Sequence, residues 1–245
     1  MKILNAVIAY KDFEWNDLPA EDLKKYLVFT YNDIKTNLPN VVKIERPTGL
    51  SDDFYSDVSL LKYIRHNVDF DWININQYRR RFELPNYNNF YVPYPLLFKQ
   101  SVKEAYRINH NIDDLNLITD IIMSIDFNSD YKMEWLKSLE DNHLICYNMM
   151  SGPKLVFFDL INIYETIIDK FITIRNFKTI EDVKKHCTSD MLQRNHFPYR
   201  IGGFLAERIN NCYFRLYAKK HNIFPNINMP VLPCRVKLLE EGMKI

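Results

Sequence analysis

The stretch Asp71-Trp72-Ile73-Asn74-Ile75-Asn76-Gln77-Tyr78-Arg79-Arg80-Arg81-Phe82 decides the fold. Its opening residues alternate as a β-strand does, and the run passes straight into a dense polar cluster. Upstream, Val58, Leu61 and Ile64 recur at helical spacing over residues 56–66, with Ser51, Asp52 and Asp53 as candidate caps. A helix feeding a strand that ends in concentrated charge reads as an α/β unit, whose ligands bind beyond the carboxyl ends of strands.

Working outward, residues 3–9 read as a second such strand, ending at Tyr10-Lys11-Asp12, where a polar loop must begin. Residues 28–31 and 41–44 are short candidate strands. Residues 83–95, rich in Asn, Tyr and Pro, predict a loop or lid. The second half predicts mostly helix. One stripe is Leu115, Ile118, Ile122 and Ile125 behind Asp113 and Asp114; a second runs from Phe157 to Phe171, with Pro153 at its first turn. A third is Leu205, Ile209, Cys212, Tyr213 and Leu216, preceded by Gly202-Gly203. The proline-bearing tail from residue 222 predicts an irregular strap. No repeat or linker divides the chain, so residues 1–245 are expected to form one α/β domain with a largely helical C-terminal half over 101–221.

Composition narrows the function. With 245 residues, 47% hydrophobic and 26% charged, the chain has the balance of a folded soluble protein. Lys plus Arg total 32 against 31 acids, so there is no global field for a polyanion, and any nucleic-acid contact would be a local patch. The five glycines form neither GxGxxG nor a P-loop. Cys146, Cys187, Cys212 and Cys234 form no CxxC and the histidines no HExxH, so a dedicated zinc site is not expected. A start without a signal peptide and apolar runs broken by Asp159, Asn162 and Glu165 point to a reducing cytoplasm and no membrane span.

Four segments carry chemistry. Arg79, Arg80 and Arg81 at a strand end present planar forks to phosphate or carboxylate, although isolated arginine runs are more often solvated turns. Arg200-Ile201-Gly202-Gly203 ahead of a helix would let its N-terminal amides approach an anion, with Glu207 placed to accept a proton or to pair with an arginine. Tyr147-Asn148 follows a candidate strand, and Asn148 is either a hydroxyl-binding amide or a turn residue. His110 is a candidate base or phosphate contact, or a structural histidine.

These motifs, in this order, resemble a bacterial family of capsular and exopolysaccharide biosynthesis proteins, formerly a domain of unknown function and regarded as GT-A-like glycosyltransferases. The family's A-T-H-K-x-Y is similar to Ala9-Tyr10-Lys11-Asp12-Phe13, which keeps the lysine but not the histidine; its H-Y-R-R-Y-F resembles Gln77-Tyr78-Arg79-Arg80-Arg81-Phe82. Its histidine before an acidic-Leu helix start looks like His110 to Leu115, and its Y-N-M-F like Tyr147-Asn148-Met149-Met150. Its R-x-x-G-F-L-x-E-R is met by Arg200, Gly203, Phe204, Leu205, Glu207 and Arg208. The resemblance spans residues 3–217. It departs at Gln77, where the family has histidine, and at Asp57, where glutamate is usual.

The resemblance implies a single GT-A-like, Rossmann-like domain with a central mixed sheet: a nucleotide-sugar-binding half over 1–100, a helical acceptor half, and a strap over 222–245. It implies transfer of a sugar from a nucleotide sugar, a UDP-sugar foremost, to an acceptor hydroxyl. Tyr10, Lys11, Gln77, Tyr78, Arg79, Arg80, Arg200, Gly203 and Arg208 would bind the donor; His110, Tyr147 and Asn148 the acceptor; Asp57 or Glu207 would be the base. No DxD closes the strand at Gln77, so arginines are expected to replace a divalent metal, with Asp52, Asp53 and Asp57 as the alternative ligands. The acceptor is either a capsular or exopolysaccharide glycan or, since the Asn-, Ile-, Lys- and Tyr-rich composition suggests an AT-rich genome such as a phage's, a hydroxymethylated pyrimidine in DNA. Arg79 to Arg81, Lys184 and Lys185 would then touch phosphates, and Tyr87, Phe90 and Tyr91 the base. The setting would be the cytoplasm of a bacterium or of a phage-infected host. The alternative is a noncatalytic nucleotide- or glycan-binding module on the same fold.

Overall fold

The computed structural model describes residues 1–47, 49–50, 52–82, 90–195, 197–220, 232–234 and 236–238. The N-terminal part runs β1 (Ile3–Ile8), α1 (Ala20–Leu23), β2 (Tyr26–Thr30), β3 (Val41–Lys43), α2 (Asp52–Tyr55), α3 (Val58–Asn67), β4 (Trp72–Gln77), β5 (Arg80–Phe82) and β6 (Tyr91–Pro93). It continues through β7 (Leu96–Leu97), α4 (Val102–Asn109), α5 (Ile112–Ser124), α6 (Ser129–Glu140), β8 (His143–Leu144) and β9 (Ser151–Pro153). Then follow α7 (Lys154–Arg175), α8 (Ile180–His186), α9 (Ser189–Arg194), α10 (Ile201–Lys220), β10 (Leu232–Cys234) and β11 (Val236–Leu238).

The main sheet has the order β10-β6-β9-β4-β1-β2-β3, with β5 hairpinned to β4 and paired to β11. The β4–β1–β2–β3 segment is parallel, while β9 pairs antiparallel with β4 and β6, making a mixed sheet. Central strands in such a sheet are covered on both faces, and β1 and β4 are buried accordingly. Leu4, Ala6, Ile8, Phe29, Ile73 and Ile75 face the helical layer, whose core includes Phe157, Leu160 and Ile209. On the opposite face Val7, Ala9 and Val28 pack with Trp15, Leu23 and Leu38.

Asparagine is disfavoured in strands, and the alternation in β4 holds here only because its polar face is satisfied. Trp72 Nε1 donates to Ser151 Oγ (3.1 Å), Ser151 Oγ to Asn74 Oδ1 (2.5 Å), and Asn74 Nδ2 to Asn5 Oδ1 (2.7 Å). Asn76 Nδ2 reaches the Ala6 carbonyl (3.2 Å) while its Oδ1 accepts from the Phe82 amide (3.0 Å), pinning the hairpin.

Four expectations are corrected. Residues 91–93 are a sheet strand, not loop, because pairing to β9 and β10 supplies nonlocal hydrogen bonds that local composition does not announce; residues 83–89 lie outside the described residues. The tail is not all strap: β10 and β11 join the sheet. Residues 151–153 form β9 before Pro153 caps α7. The glycine pair lies inside the first turn of α10 rather than ahead of it. There the absence of side chains lets α10 close on the α2 segment: a Cβ on Gly202 would stand 2.5 Å from the Phe54 ring and one on Gly203 2.6 Å from Ser56 Cβ. Cys146, Cys187 and Cys212 are free and buried. Among the described residues no helix is long and apolar enough to cross a membrane.

Gly202→Ala should therefore cost about 1–3 kcal/mol by overpacking against buried Phe54, and lower Tm by about 2–4 °C per kcal/mol in thermal unfolding. An unchanged Tm would mean that the two segments do not meet as described.

Candidate functional site

The parallel register sets Ile8 opposite Gln77, so the loop after β1 and the hairpin after β4 leave the sheet at the same edge. A cavity of about 250 Å³ opens there, closed on its far side by the start of α10 and by the segment around Tyr147. Four basic side chains face it, Lys11, Arg79, Arg80 and Arg200, against two carboxylates, Asp57 and Glu207.

Gln77 organises the floor. Its Nε2 donates to Asp57 Oδ2 and to the Tyr147 carbonyl (2.8 Å), and its Oε1 accepts from Arg80 Nη1 (2.9 Å). Arg80, 8% exposed, stacks its guanidinium 4.2 Å from the centre of the Tyr147 ring. Burial, then Arg79, lowers the Arg80 pKa.

Tyr147 and Asn148 both hold left-handed backbones, φ 73° and 51°, which is costly for a tyrosine. The turn is held by its partners: the Tyr147 amide donates to Glu207 Oε1 (3.0 Å), and Asn210 Nδ2 donates to Asn148 Oδ1 (2.7 Å). Asn148 is thus the turn residue and its carbonyl oxygen is already engaged.

Both carboxylates have raised pKa values, and in each case burial is the main cause. For Asp57, hydrogen bonds from Gln77 and Tyr10 and the charges of Arg200 and Arg79 pull the other way. For Glu207, Arg208, the Tyr147 amide and Arg80 oppose the burial, while Asp57 adds to it. The two acids therefore act on each other inside one cavity.

Of the fourteen candidate residues, twelve line this cleft: Tyr10, Lys11, Asp57, Gln77, Tyr78, Arg79, Arg80, Tyr147, Asn148, Arg200, Gly203 and Glu207. His110 and Arg208 do not. His110 is packed between Tyr106 and Phe204 with ring centres 4.6 and 4.2 Å away, and it accepts from Asn195 Nδ2 (3.1 Å). Burial, with Arg208 nearby, pushes its pKa down to about 3, so it is a neutral structural ring. Arg208 is buried over the Tyr106 ring, donates to the Phe204 carbonyl (2.9 Å) and pairs with Glu207 (3.3 Å) from behind the cleft.

Arg81 departs from its two neighbours. Strand alternation turns it to the opposite face, where it pairs with Asp17 and lies 5.8 Å from the Trp15 ring. Of the aromatic DNA-contact candidates, Phe90 is buried against Phe214 and Tyr217, Tyr91 is in β6, and Tyr87 lies outside the described residues. Sequence reasoning missed Ser56 and Phe197 as cleft residues. Ser56 has φ 51°, and Phe197 is 50% exposed with the Arg200 guanidinium 4.3 Å from its ring centre; no local pattern marks either.

No family model matches the chain, and no curated protein matches it. Among solved structures, the apo form of the bifunctional glycosyltransferase WbbM matches 98% of this chain with a TM-score of 0.63 at 13% identity. The fold is glycosyltransferase-like. This chain spans 46% of that one, about half its length, so the likeness carries the arrangement of sheet and helices and not the substrate.

Within that frame the raised Asp57 pKa has a thermodynamic signature. The folded state holds the proton to higher pH than the unfolded chain does, so stability falls as pH rises from about 4 through the raised value. Asp57→Asn removes this loss. Its Tm should exceed the wild type's at pH 8, and the gap should close near pH 4. A gap that stays constant with pH would refute the assignment.

Proposed function

We propose that the protein transfers a sugar from a nucleotide-sugar donor to an acceptor hydroxyl, and the observation that carries this is the cleft's charge. Four cations against two acids at the ends of parallel strands leave a surplus of two positive charges, which matches the two negative charges of an esterified diphosphate. The glycosyltransferase-like fold supports the same reading.

Lys11, Arg79, Arg80 and Arg200 would hold the diphosphate, with Arg80 pre-aimed by Gln77 and Tyr147 so that little ordering is needed on binding. Asp57 would take the acceptor proton. Its burial raises basicity towards the operating pH. Glu207 is committed through one oxygen to the Tyr147 amide and through the other to Arg208, which suits a positioning role. The acceptor oxygen would then form its bond to the anomeric carbon as the bond to the diphosphate breaks. The electron pair leaves on the nucleoside diphosphate, whose growing charge the arginines offset.

A resident divalent metal does not fit these donors. Asp57 already accepts from Gln77, Glu207 faces Arg208, and arginines surround both; among the described residues no group of three His, Cys, Asp or Glu side chains converges. We therefore assign charge neutralisation to the side chains. A UDP-sugar is the first donor to test and a glycan the first acceptor.

Calorimetric titration with UDP, GDP, CDP and their sugars, with manganese and with chelator, tests the reading. One nucleotide class should bind in chelator; no binding by any would sink it. Arg79→Ala and Arg80→Ala should each weaken that binding by about tenfold or more, as loss of a charged hydrogen bond does. Arg81→Ala, on the other face, should leave the affinity intact. Asp57→Asn should cut turnover by about 10²–10⁴ while donor binding persists. Full turnover in that variant would remove Asp57 as the base, and binding without turnover in the wild type would mark a noncatalytic module.

A further inference from the structure

A second cavity, of about 490 Å³, lies beyond the ends of β2 and β3. Tyr31 and Ile44 follow those strands, and Tyr55, Tyr63 and Phe177 complete a largely aromatic wall. Its outer side is the segment through Gly49, whose φ of 89° and close approach to the Lys178 carbonyl would bring an added Cβ to 3.2 Å. The two cavities flank one bend of the chain. Ser56, with its left-handed backbone, separates Tyr55, which lines the aromatic pocket, from Asp57, which lines the charged cleft.

The pocket's chemistry suits a neutral ring. Lys62 lies 5.3 Å from the Tyr55 ring centre, but its charge is offset by Glu165 at 3.8 Å and Asp169 at 3.7 Å. Lys178 and Glu45, one charge of each sign, both line the wall. Among the described residues no arginine lines it, so an anionic group meets no fork there. Tyrosines offer an apolar face and a polar tip together, and the volume suits a small ligand. Burial and the same two acids push the Tyr55 hydroxyl up to about 12, leaving it a neutral donor.

Position chooses between the rings that fit. A nucleoside is joined to the diphosphate, so its pocket should share a wall with the cations that hold the phosphates. This pocket shares none of Lys11, Arg79, Arg80 or Arg200; Tyr55 and Ser59, which flank Asp57, line it instead. We propose that the aromatic pocket is an acceptor subsite for a neutral saccharide ring, which directs the acceptor's hydroxyl to Asp57. This rests on the transferase reading above and names glycan over DNA as its acceptor class.

Saturation-transfer NMR on the full chain with a panel of neutral methyl glycosides, with uridine as competitor and with UDP titrated separately, tests it. At least one glycoside should show transfer, and Tyr63→Ala should weaken it about two- to tenfold, the range of one aromatic contact. UDP affinity should change by less than about twofold, as for an independent site. Leu50→Trp, which fills the pocket from its partly exposed wall without opening the core, should abolish the glycoside signal and likewise spare UDP.

Absence of any glycoside signal, or one unmoved by both variants, overturns the proposal, as does displacement by uridine with a parallel loss of UDP affinity in Tyr63→Ala. Failure of UDP to bind the wild type would instead strike the transferase reading, with the glycoside signals still deciding the pocket.

Discussion

One carboxamide ties the functional end of this molecule together. Gln77 is the last residue of β4, set by register opposite Ile8, and it holds three separate pieces of chain: the α2–α3 bend at Asp57, the left-handed turn at Tyr147, and the hairpin at Arg80. Only an amide does this, because it donates twice and accepts on one side chain. A neutral imidazole has one donor and one acceptor and could not serve all three partners. Gln77 therefore serves this site as scaffold rather than as an acid or base.

The cleft is built against its own stability. Two carboxylates are buried within reach of each other, and their raised pKa values record the cost of burying charge. A tyrosine is kept in a left-handed backbone, for which roughly 1–2 kcal/mol must be offset elsewhere. The offset comes from the Glu207 contact to the Tyr147 amide, the Asn210 contact to Asn148 and the Arg80 stack, each also part of the site. Strain and charge thus sit where a ligand that neutralises them would gain most.

Much of the site was legible in the chain, for a physical reason. Tyr10 and Lys11 come just after β1, and Gln77 to Arg80 are the end of β4 and its turn into β5; strand ends in α/β sheets gather at one edge, so these residues line one cleft. Glu207 lies in the early turns of α10 and shares that edge. His110 and Arg208 carried no local sign of being packed behind the cleft; burial between Tyr106 and Phe204 is a property of helices far apart in sequence. Arg81 was readable in principle, since alternation along β5 sends it away from Arg80.

The sequence by itself determined the α/β class, the buried β1 and β4, the amphipathic α5, α7 and α10, and the cluster of charge at the sheet's edge. Those follow from periodicity and from residue chemistry, which act over a few neighbours. Only the tertiary structure decided that residues 91–93 and the tail strands β10 and β11 belong to the sheet, that Gly202 and Gly203 serve helix packing, and that Tyr31, Tyr55, Tyr63 and Phe177 line one pocket. Each depends on hydrogen bonds or contacts between segments tens of residues apart, and such pairings leave no periodic trace in the chain that forms them.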